Sequence, residues 1–372
     1  MVCGGSYVSG AEIVVLDLLR GLKERGQEVA CVMSGWNDGD FPTRLEHLGV
    51  PYRQVKTGVV SKRLEWPYVK WTLDALLHLP KAWYDYWSFY HSFDPDVVVF
   101  HGVRQASMLR PLLAAEESIH YVHGVPQPSV HLRRLVGGPG HSGRAYVGVS
   151  SYVADALVEL GVPEEKVHVV QNGVEDVPED DLPPTGLSSP PTLGIVGQIG
   201  EWKGHPDLLD ALKILREREY DVRCLVFGEG DDDYVGKLKQ KSEAYGLDSH
   251  VEWRGFVTET NALYRELDVC VVPSRIEEAF GLVAAEAGVR RIPVVATPRG
   301  GLPEIVVDGE TGFLIDAECP TQLADRLADL IEHPDVCARM GKQACERVRE
   351  KFTRERMVDD AERILRDVAS AG

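Results

Sequence analysis

The chain has 372 residues, of which 44% are hydrophobic and 26% are charged, a composition typical of a globular protein with two domains of ordinary size. Its formal net charge of −18 argues against a nucleic-acid-binding protein. No apolar run is long enough to span a bilayer, and no signal-peptide pattern is found. The seven cysteines form no C-x-x-C pair, which predicts reduced, mostly buried thiols in a cytoplasmic protein.

The first half of the chain alternates apolar β-rich runs with helical patterns, which predicts a parallel α/β sheet. A helix predicted over residues 11–25 places four apolar residues on one face: Ile13, Leu16, Leu19 and Leu22. The predicted strands cover residues 29–33, 97–100, 119–122, 146–149 and 167–170.

A glycine loop over residues 4–12 begins after only Met1, Val2 and Cys3. A Rossmann-like domain opens with a buried apolar strand that is central in its sheet, and the loss of that strand would leave neighbouring backbone groups unpaired. The sequence therefore predicts an apolar in-frame run encoded just upstream of Met1, and a stop codon directly before Met1 would contradict this prediction.

Aromatic and basic residues are interleaved over residues 62–90. They are Trp66, Tyr68, Trp71, Trp83, Tyr84, Tyr86, Trp87, Phe89 and Tyr90, with Lys62, Arg63, Lys70 and Lys81. This pattern suits a peripheral membrane surface or a lipid-linked acceptor. The favoured alternative is a helical hairpin that packs its aromatic side chains on the sheet.

The charge of the chain is uneven. Residues 1–175 contain 16 Lys and Arg against 19 Asp and Glu, whereas the remainder contains 24 against 39. The near-neutral first half is therefore freer to meet an anionic surface or acceptor. The alternative is that the acidic second half is simply well solvated.

Residues 178–191 are rich in Pro, Asp and Ser and have no periodicity, which predicts a linker between domains. A second alternation follows, with predicted strands over 192–197, 223–228, 251–253, 269–272 and 293–296. The segment from about Thr321 onward is charged and helical in pattern.

Two carboxylates, Glu278 and Glu286, lie eight positions apart around the turn Phe280-Gly281-Leu282. An apolar strand precedes this turn and a helix begins after it. The backbone N–H groups at a helix N-terminus point at bound phosphate, and the two glutamates can accept hydrogen bonds from hydroxyl groups. Phosphate together with many hydroxyls describes a nucleotide sugar.

The spacing of these glutamates resembles the Glu-x7-Glu motif of the retaining family-4 glycosyltransferases. Residues 197–204, 300–306 and 308–314 match further segments of that family, so the resemblance covers nearly the whole chain. It implies the GT-B fold, an α/β architecture in which two Rossmann-like doubly wound domains face each other across a cleft. The implied parts are an N-terminal acceptor domain over 1–177, a linker over 178–191, a nucleotide-sugar domain over 192–352 and, over 353–372, a helix that crosses back.

The resemblance implies that Lys203 binds the diphosphate leaving group, which suits the compact charge of lysine. Gln198 stands where the family usually has an arginine, so more of the phosphate binding falls on Lys203 and on the helix N-terminus. Glu278 would bind hydroxyls of the transferred sugar, and Glu286 would bind the ribose.

Backbone groups of Phe280, Gly281 and Leu282 would bind phosphate or sugar, as the resemblance implies. Phe256 and Val257 lie where the family holds the base. In the first domain, Gly10 would let the backbone approach the donor. His123 occupies the family's position for a histidine near the reacting sugar, although a purely structural histidine is the alternative.

The implied reaction moves a hexose from a UDP- or GDP-linked donor to a saccharide or lipid-linked acceptor, with retention of configuration. Lys203, Glu278 and His123 are the implied catalytic residues, and no cofactor or metal is required. Asp231-Asp232-Asp233 has a composition that can bind metal, but it follows a strand and resembles a loop of the family. The implied location is cytoplasmic, at the inner face of the membrane.

Two other classes of protein remain as alternatives. One is an epimerase-type sugar-nucleotide enzyme with the same fold, which the pair Glu278 and Glu286 disfavours. The other is a degenerate GT-B protein that acts as a binding or regulatory partner, supported by Gln198 and by the short N-terminus. Detectable hydrolysis of a donor would separate a catalyst from a degenerate protein.

Overall fold

The computed structural model describes residues 1–4, 8–56, 68–102, 106, 109, 118–126, 143–183, 186–257 and 259–370, without the side chains of residues 68 and 71. The chain divides into two compact units. The first contains residues 1–172 and 354–372, and the second contains residues 173–353. The predicted linker, residues 178–191, therefore lies within the second unit.

The first unit is built on parallel strands flanked by helices. Its sheet has the strand order β1-β2 in one part and β3-β4-β5-β6 in the other. The strands are β1 Cys31–Ser34, β2 Tyr52–Val55, β3 Val98–Phe100, β4 Ser118–Val122, β5 Ala145–Gly148 and β6 Val167–Val169. The helices are α1 Gly10–Glu24, α2 Asp40–His47, α3 Tyr68–Phe93 and α4 Ser151–Glu159.

The second unit contains one six-stranded parallel sheet of order β12-β11-β10-β7-β8-β9. Its strands are β7 Thr192–Val196, β8 Arg223–Phe227, β9 Val251–Gly255, β10 Val269–Val272, β11 Val294–Ala296 and β12 Gly312–Leu314. Its helices are α5 His205–Glu217, α6 Asp232–Ala244, α7 Thr260–Arg265, α8 Leu282–Val289, α9 Leu302–Ile305, α10 Pro320–Glu332 and α11 Pro334–Lys351.

The last helix, α12 Arg354–Ser370, belongs to the first unit and packs against α1. The contact is close, because a Cβ atom added at Gly21 would lie 2.5 Å from a methyl carbon of Val358. Arg25 forms ion pairs with Asp359 at 2.7 Å and with Glu362 at 3.3 Å. The sequence predicts this helix over 355–368, within a few residues of its observed ends.

Residues 1–3 lie between β1 and β3 and join the two parts of the first sheet. Val2 donates to the carbonyl of Val99 at 2.7 Å and accepts from His101 at 2.9 Å, while Cys3 donates to Val32 at 2.8 Å. The backbone groups of β1 and β3 at these positions are therefore paired, and the expected loss of pairing is not found there.

The structure corrects three local predictions. Ile13 is 39% exposed, because the buried arc of α1 is centred on Val15, Leu19 and Leu22. Residues 68–93 of the aromatic segment form one helix, α3, and not a hairpin, while residues 62–67 lie outside the described residues. Strands β2 and β12 were not predicted, since they have only four and three residues.

Among the described residues, no helix is long and apolar enough to cross a membrane. The longest, α3, has 26 residues and includes Pro80.

Candidate active site

The loops that follow β7 and β10 leave the sheet of the second unit at the same edge. The two strands are parallel neighbours, with Cys270 opposite Gly194, so their carboxyl ends lie side by side. The loop after β7 ends in a short 3-10 helix, Glu201–Lys203, and the loop after β10 carries Glu278. The topology therefore brings together Lys203 and Glu278, which are 75 residues apart in sequence.

Lys203 and Glu278 form an ion pair with 2.6 Å between Nζ and Oε1. The side chains are 26% and 18% exposed, so the pair is partly shielded but open to a ligand. The buried hydroxyl of Ser274 donates to the same carboxylate oxygen at 2.5 Å, and the carbonyl of Ser274 accepts from the hydroxyl of Thr297 at 2.7 Å. In the described part of the chain no donor to Oε2 of Glu278 is found, which leaves that oxygen for a ligand hydroxyl.

Two glycines allow the loops around this ion pair to approach each other closely. Gly204 has a φ of +71°, and a Cβ atom there would lie 1.9 Å from the carbonyl oxygen of Pro273. Gly300 has a φ of +59°, and a Cβ atom there would lie 2.0 Å from the carbonyl oxygen of Glu278. A side chain at either position would separate the loops, so the glycines are part of how the pair is positioned.

Arg275 ties the loop that carries Glu278 to the first turn of α5. Its guanidinium contacts both carboxylate oxygens of Asp207, at 2.7 and 2.8 Å, and its backbone N–H donates to the carbonyl of Trp202 at 2.8 Å. The hydrogen bond to Asp207 raises the pKa of Arg275. A bidentate pair of this kind fixes geometry as well as charge, so it holds the two loops in register.

Glu286 is held on α8 by a buried tyrosine. The phenol of Tyr264 donates to Oε2 of Glu286 at 2.9 Å, and the tyrosine side chain is fully buried. Burial raises the pKa of Tyr264, and the nearby Glu286 charge raises it further, so the phenol remains a donor. Arg290 completes the support: it donates to the carbonyl of Glu286 at 2.8 Å and to Asn261 at 2.5 Å, with its guanidinium 4.9 Å from the centre of the Tyr264 ring.

The turn between the two glutamates leads directly into α8. Phe280 is buried and packs edge-to-face on Phe352, with the ring centroids 5.6 Å apart. Gly281, at a φ of +108°, precedes Leu282, the first residue of the helix. The first N–H groups of a helix have no intrahelical acceptor, so this turn presents donors beside Glu278 and Glu286.

Gln198, Phe256 and Val257 lie in loops that follow β7 and β9. Gln198 is exposed, and Phe256 is 65% exposed. No hydrogen bond in the part of the chain that the structure describes links these three residues to Lys203, Glu278 or Glu286. They share the carboxyl edge of the sheet with the ion pair.

His123 lies in the first unit, directly after β4. Its Nε2 atom is 2.7 Å from Nδ1 of His101, which follows β3, and both rings stack with Tyr121. The two remaining nitrogens, Nε2 of His101 and Nδ1 of His123, are enclosed and have no hydrogen-bond partner among the described residues. Burial lowers the pKa of His123 to about 4 and holds the pKa of His101 well below its usual value, so the pair is neutral near pH 7.

Gly10 is the first residue of α1 and follows the capping residue Ser9. The backbone N–H of Ser9 donates to the side chain of Glu12 at 3.1 Å, and the serine hydroxyl donates to the same carboxylate. Residues 5–7 of the predicted glycine loop lie outside the described residues.

Asp231 caps helix α6: its carboxylate accepts a hydrogen bond from the backbone N–H of Tyr234 at 3.1 Å. The described residues contain no group of three or more His, Cys, Asp or Glu arranged to hold a metal ion. The Asp231-Asp232-Asp233 run therefore begins a helix in this structure.

The supporting residues were not predicted from the sequence. Ser274, Tyr264 and Arg290 act through contacts that cross between strands and helices, and nothing in their local sequence distinguishes them. His101 carried a usable signal, because it follows a predicted strand just as His123 does, and the ends of parallel strands meet at one edge.

Two family models match the chain, one in each half. The model described as "Glycosyltransferase Family 4" matches residues 8–177, and the model described as "Glycosyl transferases group 1" matches residues 179–347.

Among characterised relatives, the D-inositol 3-phosphate glycosyltransferase of Corynebacterium glutamicum is 34% identical over 163 residues, which cover 42% of this chain and 39% of the relative. The match thus spans well under two thirds of that enzyme. The enzyme of the same name from Xylanimonas cellulosilytica is 28% identical over 378 residues, which cover 92% of this chain and 88% of the relative.

Solved structures share the fold across the whole chain. Anabaena HepE in complex with UDP and glucose has a TM-score of 0.77 at 20% identity and covers 98% of both chains. Sucrose-phosphate synthase from Thermosynechococcus elongatus has a TM-score of 0.80 at 18% identity and covers 100% of this chain and 99% of that one. Since the two family matches together cover residues 8–177 and 179–347, the chain belongs to the group 1 glycosyltransferases and has the GT-B fold.

Proposed function

We propose that the chain is a retaining hexosyltransferase of family 4 that uses a UDP- or GDP-linked sugar. The observation that carries this proposal is the ion pair of Lys203 with Glu278, beside Glu286 and the start of α8. A cation, two carboxylates and free backbone donors at one sheet edge suit a molecule with a diphosphate and two sets of hydroxyls. Support also comes from Anabaena HepE, whose complexes contain UDP, glucose and UDP-glucose.

In the proposed complex, Lys203 turns from Glu278 toward the diphosphate and stabilises the charge that develops on it. Glu278, still held by Ser274, accepts hydrogen bonds from hydroxyls of the transferred sugar. Glu286 does the same for the ribose, and the backbone of Phe280, Gly281 and Leu282 donates to the phosphates or the sugar. The residues that would hold the base are Phe256 and Val257.

The proposed transfer is a front-face displacement. The bond between the anomeric carbon and the diphosphate oxygen breaks, and a bond from the acceptor hydroxyl oxygen forms on the same face. The acceptor proton passes to the departing diphosphate oxygen, so the step needs neither a protein nucleophile nor a metal. His123 and Gly10 would contribute from the first unit, His123 as a neutral imidazole beside the reacting sugar.

The proposed acceptor is a saccharide or a lipid-linked saccharide, reached at the cytoplasmic face of a membrane that residues 62–90 contact. A relative from Rhizobium leguminosarum is a lipopolysaccharide core biosynthesis mannosyltransferase, 31% identical over 198 residues that cover 56% of it. Its name supports, for this chain, an acceptor of the cell envelope.

A second candidate function is a degenerate GT-B protein that binds a partner without catalysis. The observation that favours it is Gln198, which is exposed and uncharged at the position where the family usually has arginine. This candidate predicts no donor hydrolysis in a well-folded sample.

Substitution of Lys203 by alanine tests the proposed function. A thermal-shift panel of UDP, GDP, ADP and their sugar conjugates should raise the melting temperature of the wild type with one nucleotide. In Lys203→Ala the shift should vanish, and turnover should fall roughly 100- to 1,000-fold, since a preorganised charge on the leaving group is lost.

The matched control is Lys213→Ala, because Lys213 is a surface lysine of the same unit that pairs with Glu217 on α5. It should keep the wild-type shift and turnover. Product analysis by NMR should show retained anomeric configuration, and a chelator should leave the rate unchanged. If none of the nucleotides raises the melting temperature, the degenerate-partner function is favoured.

A further inference from the structure

Helix α3 is apolar on two sides. Its inner side packs into the core of the first unit through Ala75, Ala82 and Tyr86, which are at most 2% exposed. Its outer side carries five large hydrophobic residues that are 48–77% exposed: Leu73, Leu76, Leu77, Tyr84 and Trp87. A helix that only completes a core needs one apolar stripe, so the outer residues have no role in the fold that explains them.

The outer residues form one continuous stripe. Leu73, Leu77, Tyr84 and Trp87 are separated by four, seven and three positions, with exposed Pro80 between them, a spacing that keeps side chains on one helix face. At 1.5 Å per residue, the stripe is roughly 20 Å long. The other large exposed hydrophobics of the described residues are scattered over both units, at positions such as Ile13, Val158, Val169 and Ile276.

Basic side chains border this stripe. Lys70 and Lys81 are exposed on α3 itself, and Lys81 is 74% exposed. On the neighbouring segment, the Lys56 ammonium lies 4.7 Å from the ring of Trp36, which is 40% exposed and lies edge-on to His78 of α3. Of the acidic residues of α3, Asp85 is paired with Lys81 at 2.6 Å and Asp74 lies 3.5 Å from His78.

We propose that the outer face of α3 docks on an anionic membrane surface. Leucine and aromatic side chains enter the boundary between headgroups and acyl chains, while bordering lysines bind anionic headgroups. Contact is peripheral, since α3 is amphipathic and its inner side is occupied by the core. This inference deepens the proposed function and rests on it. If the chain transfers a sugar, docking brings the first unit to the membrane, and the acceptor is lipid-linked.

The charges favour a membrane over a second copy of the chain. In a two-fold contact between two α3 helices, Lys70 and Lys81 of one copy would meet the same border of the other, and each chain carries a net charge of −18. An anionic bilayer instead complements the local lysines.

Flotation of the full chain with vesicles tests this docking. Vesicles made of equal parts phosphatidylglycerol and phosphatidylcholine should carry the wild type upward, and vesicles of phosphatidylcholine alone should carry much less. Leu73→Ser/Leu77→Ser should weaken binding about tenfold, because two apolar side chains are lost from the interface. The matched control is Val158→Ser/Val169→Ser, which removes two exposed apolar side chains of the same unit and should bind like the wild type.

A second pair of variants tests the charges. Lys70→Glu/Lys81→Glu should lower binding to the anionic vesicles by about tenfold, and added salt should lower wild-type binding, since the attraction is electrostatic. Lys237→Glu/Lys342→Glu, which places the same charge change on exposed lysines of the second unit, should have a much smaller effect.

Three results would overturn the proposal: no flotation of the wild type with anionic vesicles, an equal loss in both serine double variants, or a dimer that Leu73→Ser/Leu77→Ser dissociates. Hydrolysis of the soluble nucleotide sugar separates this proposal from the proposed function. Leu73→Ser/Leu77→Ser should hydrolyse the donor at the wild-type rate. A wild type that hydrolyses the donor but does not float would contradict the docking and leave the proposed function intact.

Discussion

The two units hold their candidate site residues in different ways. In the second unit, Lys203 and Glu278 form a charged pair, and Glu286 is held by a phenol, so both glutamates of the site have a defined hydrogen-bond partner. In the first unit, His123 contacts a second imidazole, that of His101, and the pKa values of both rings are lowered by burial. One unit arranges charges in advance, while the other keeps its polar groups neutral.

This difference matches what each half of the proposed nucleotide-sugar reaction would need. A diphosphate carries negative charge that a fixed cation and helix donors stabilise. An acceptor hydroxyl and a neutral sugar need positioning without strong fields, and a neutral imidazole can either donate or accept a hydrogen bond. The comparison therefore predicts that mutations and pH will act differently on the two units.

Acidification should weaken the first unit through His123, and this is the largest effect on stability that we expect. The folded-state pKa of about 4 lies below the usual 6.5, so the unfolded chain binds the proton first. The stabilisation is complete above pH 6.5 and is lost as the pH falls toward 4. A shift of this size corresponds to about 3 kcal/mol of unfolding free energy.

The measurement is urea unfolding at pH 7.5 and at pH 4.5 for the wild type and for His123→Gln. His205, in the second unit, has a pKa lowered to about 4 by burial and remains present in both proteins, so it cancels in the difference. The pH dependence should be smaller in His123→Gln. Equal pH dependence in the two proteins would show that His123 is not kept neutral by the fold.

Tyr264→Phe probes the network of the second unit. The substitution removes the phenol that donates to Glu286 and leaves the buried ring, so α8 should stay in place. Loss of a hydrogen bond to a charged group costs about 1.5 kcal/mol, which predicts a roughly tenfold rise in the donor KM with little change in kcat.

Tyr245→Phe is the matched control for this prediction. The Tyr245 hydroxyl donates to Asp210 at 2.7 Å in the same unit, so the control removes a phenol–carboxylate hydrogen bond that does not involve Glu286. Its KM should equal that of the wild type. A change of KM in Tyr245→Phe as large as in Tyr264→Phe would mean that both act through general loosening of the unit.

The sequence predicts the strands of the second unit well and those of the first unit less completely. Strands such as residues 269–272 are buried on both faces, and a continuous hydrophobic run in the sequence predicts such a strand directly. Strand β2, Tyr-Arg-Gln-Val, lies at a sheet edge where only Val55 is fully buried, so its composition carries little signal. The helical hairpin was a wrong prediction, because Pro80 lies inside one helix without ending it.

For the candidate site, the sequence identifies residues whose roles depend on residue type and spacing, such as Lys203, Glu278 and Glu286. It does not identify Tyr264, whose role exists only once α7 and α8 bring together segments 22 positions apart. Nor does it identify Ser274, whose hydroxyl meets Glu278 four positions along the chain because of the conformation of the loop after β10. Periodicity cannot encode such a contact, because it depends on where a side chain points in the packed unit.

Gln198→Arg adds one positive charge to the second unit, and its effect on nucleotide binding should be the smallest of those predicted. Gln198 is exposed, so a larger side chain fits without displacing its neighbours. An exposed cation is screened by solvent, and we expect the nucleoside diphosphate to bind about three- to tenfold more tightly. Titration calorimetry with the diphosphate and with the bare nucleoside measures this gain.

The bare nucleoside separates phosphate binding from any change in the loop, because it lacks the group that arginine would contact. Gln240→Arg, at an exposed glutamine on α6, adds the same net charge elsewhere in the unit and should leave both affinities unchanged. An equal gain for nucleoside and diphosphate would argue against a phosphate site beside Gln198. The wild type could also bind neither ligand while Gln198→Arg binds the diphosphate. That result would favour the degenerate GT-B protein and identify Gln198 as the cause of its lost donor binding.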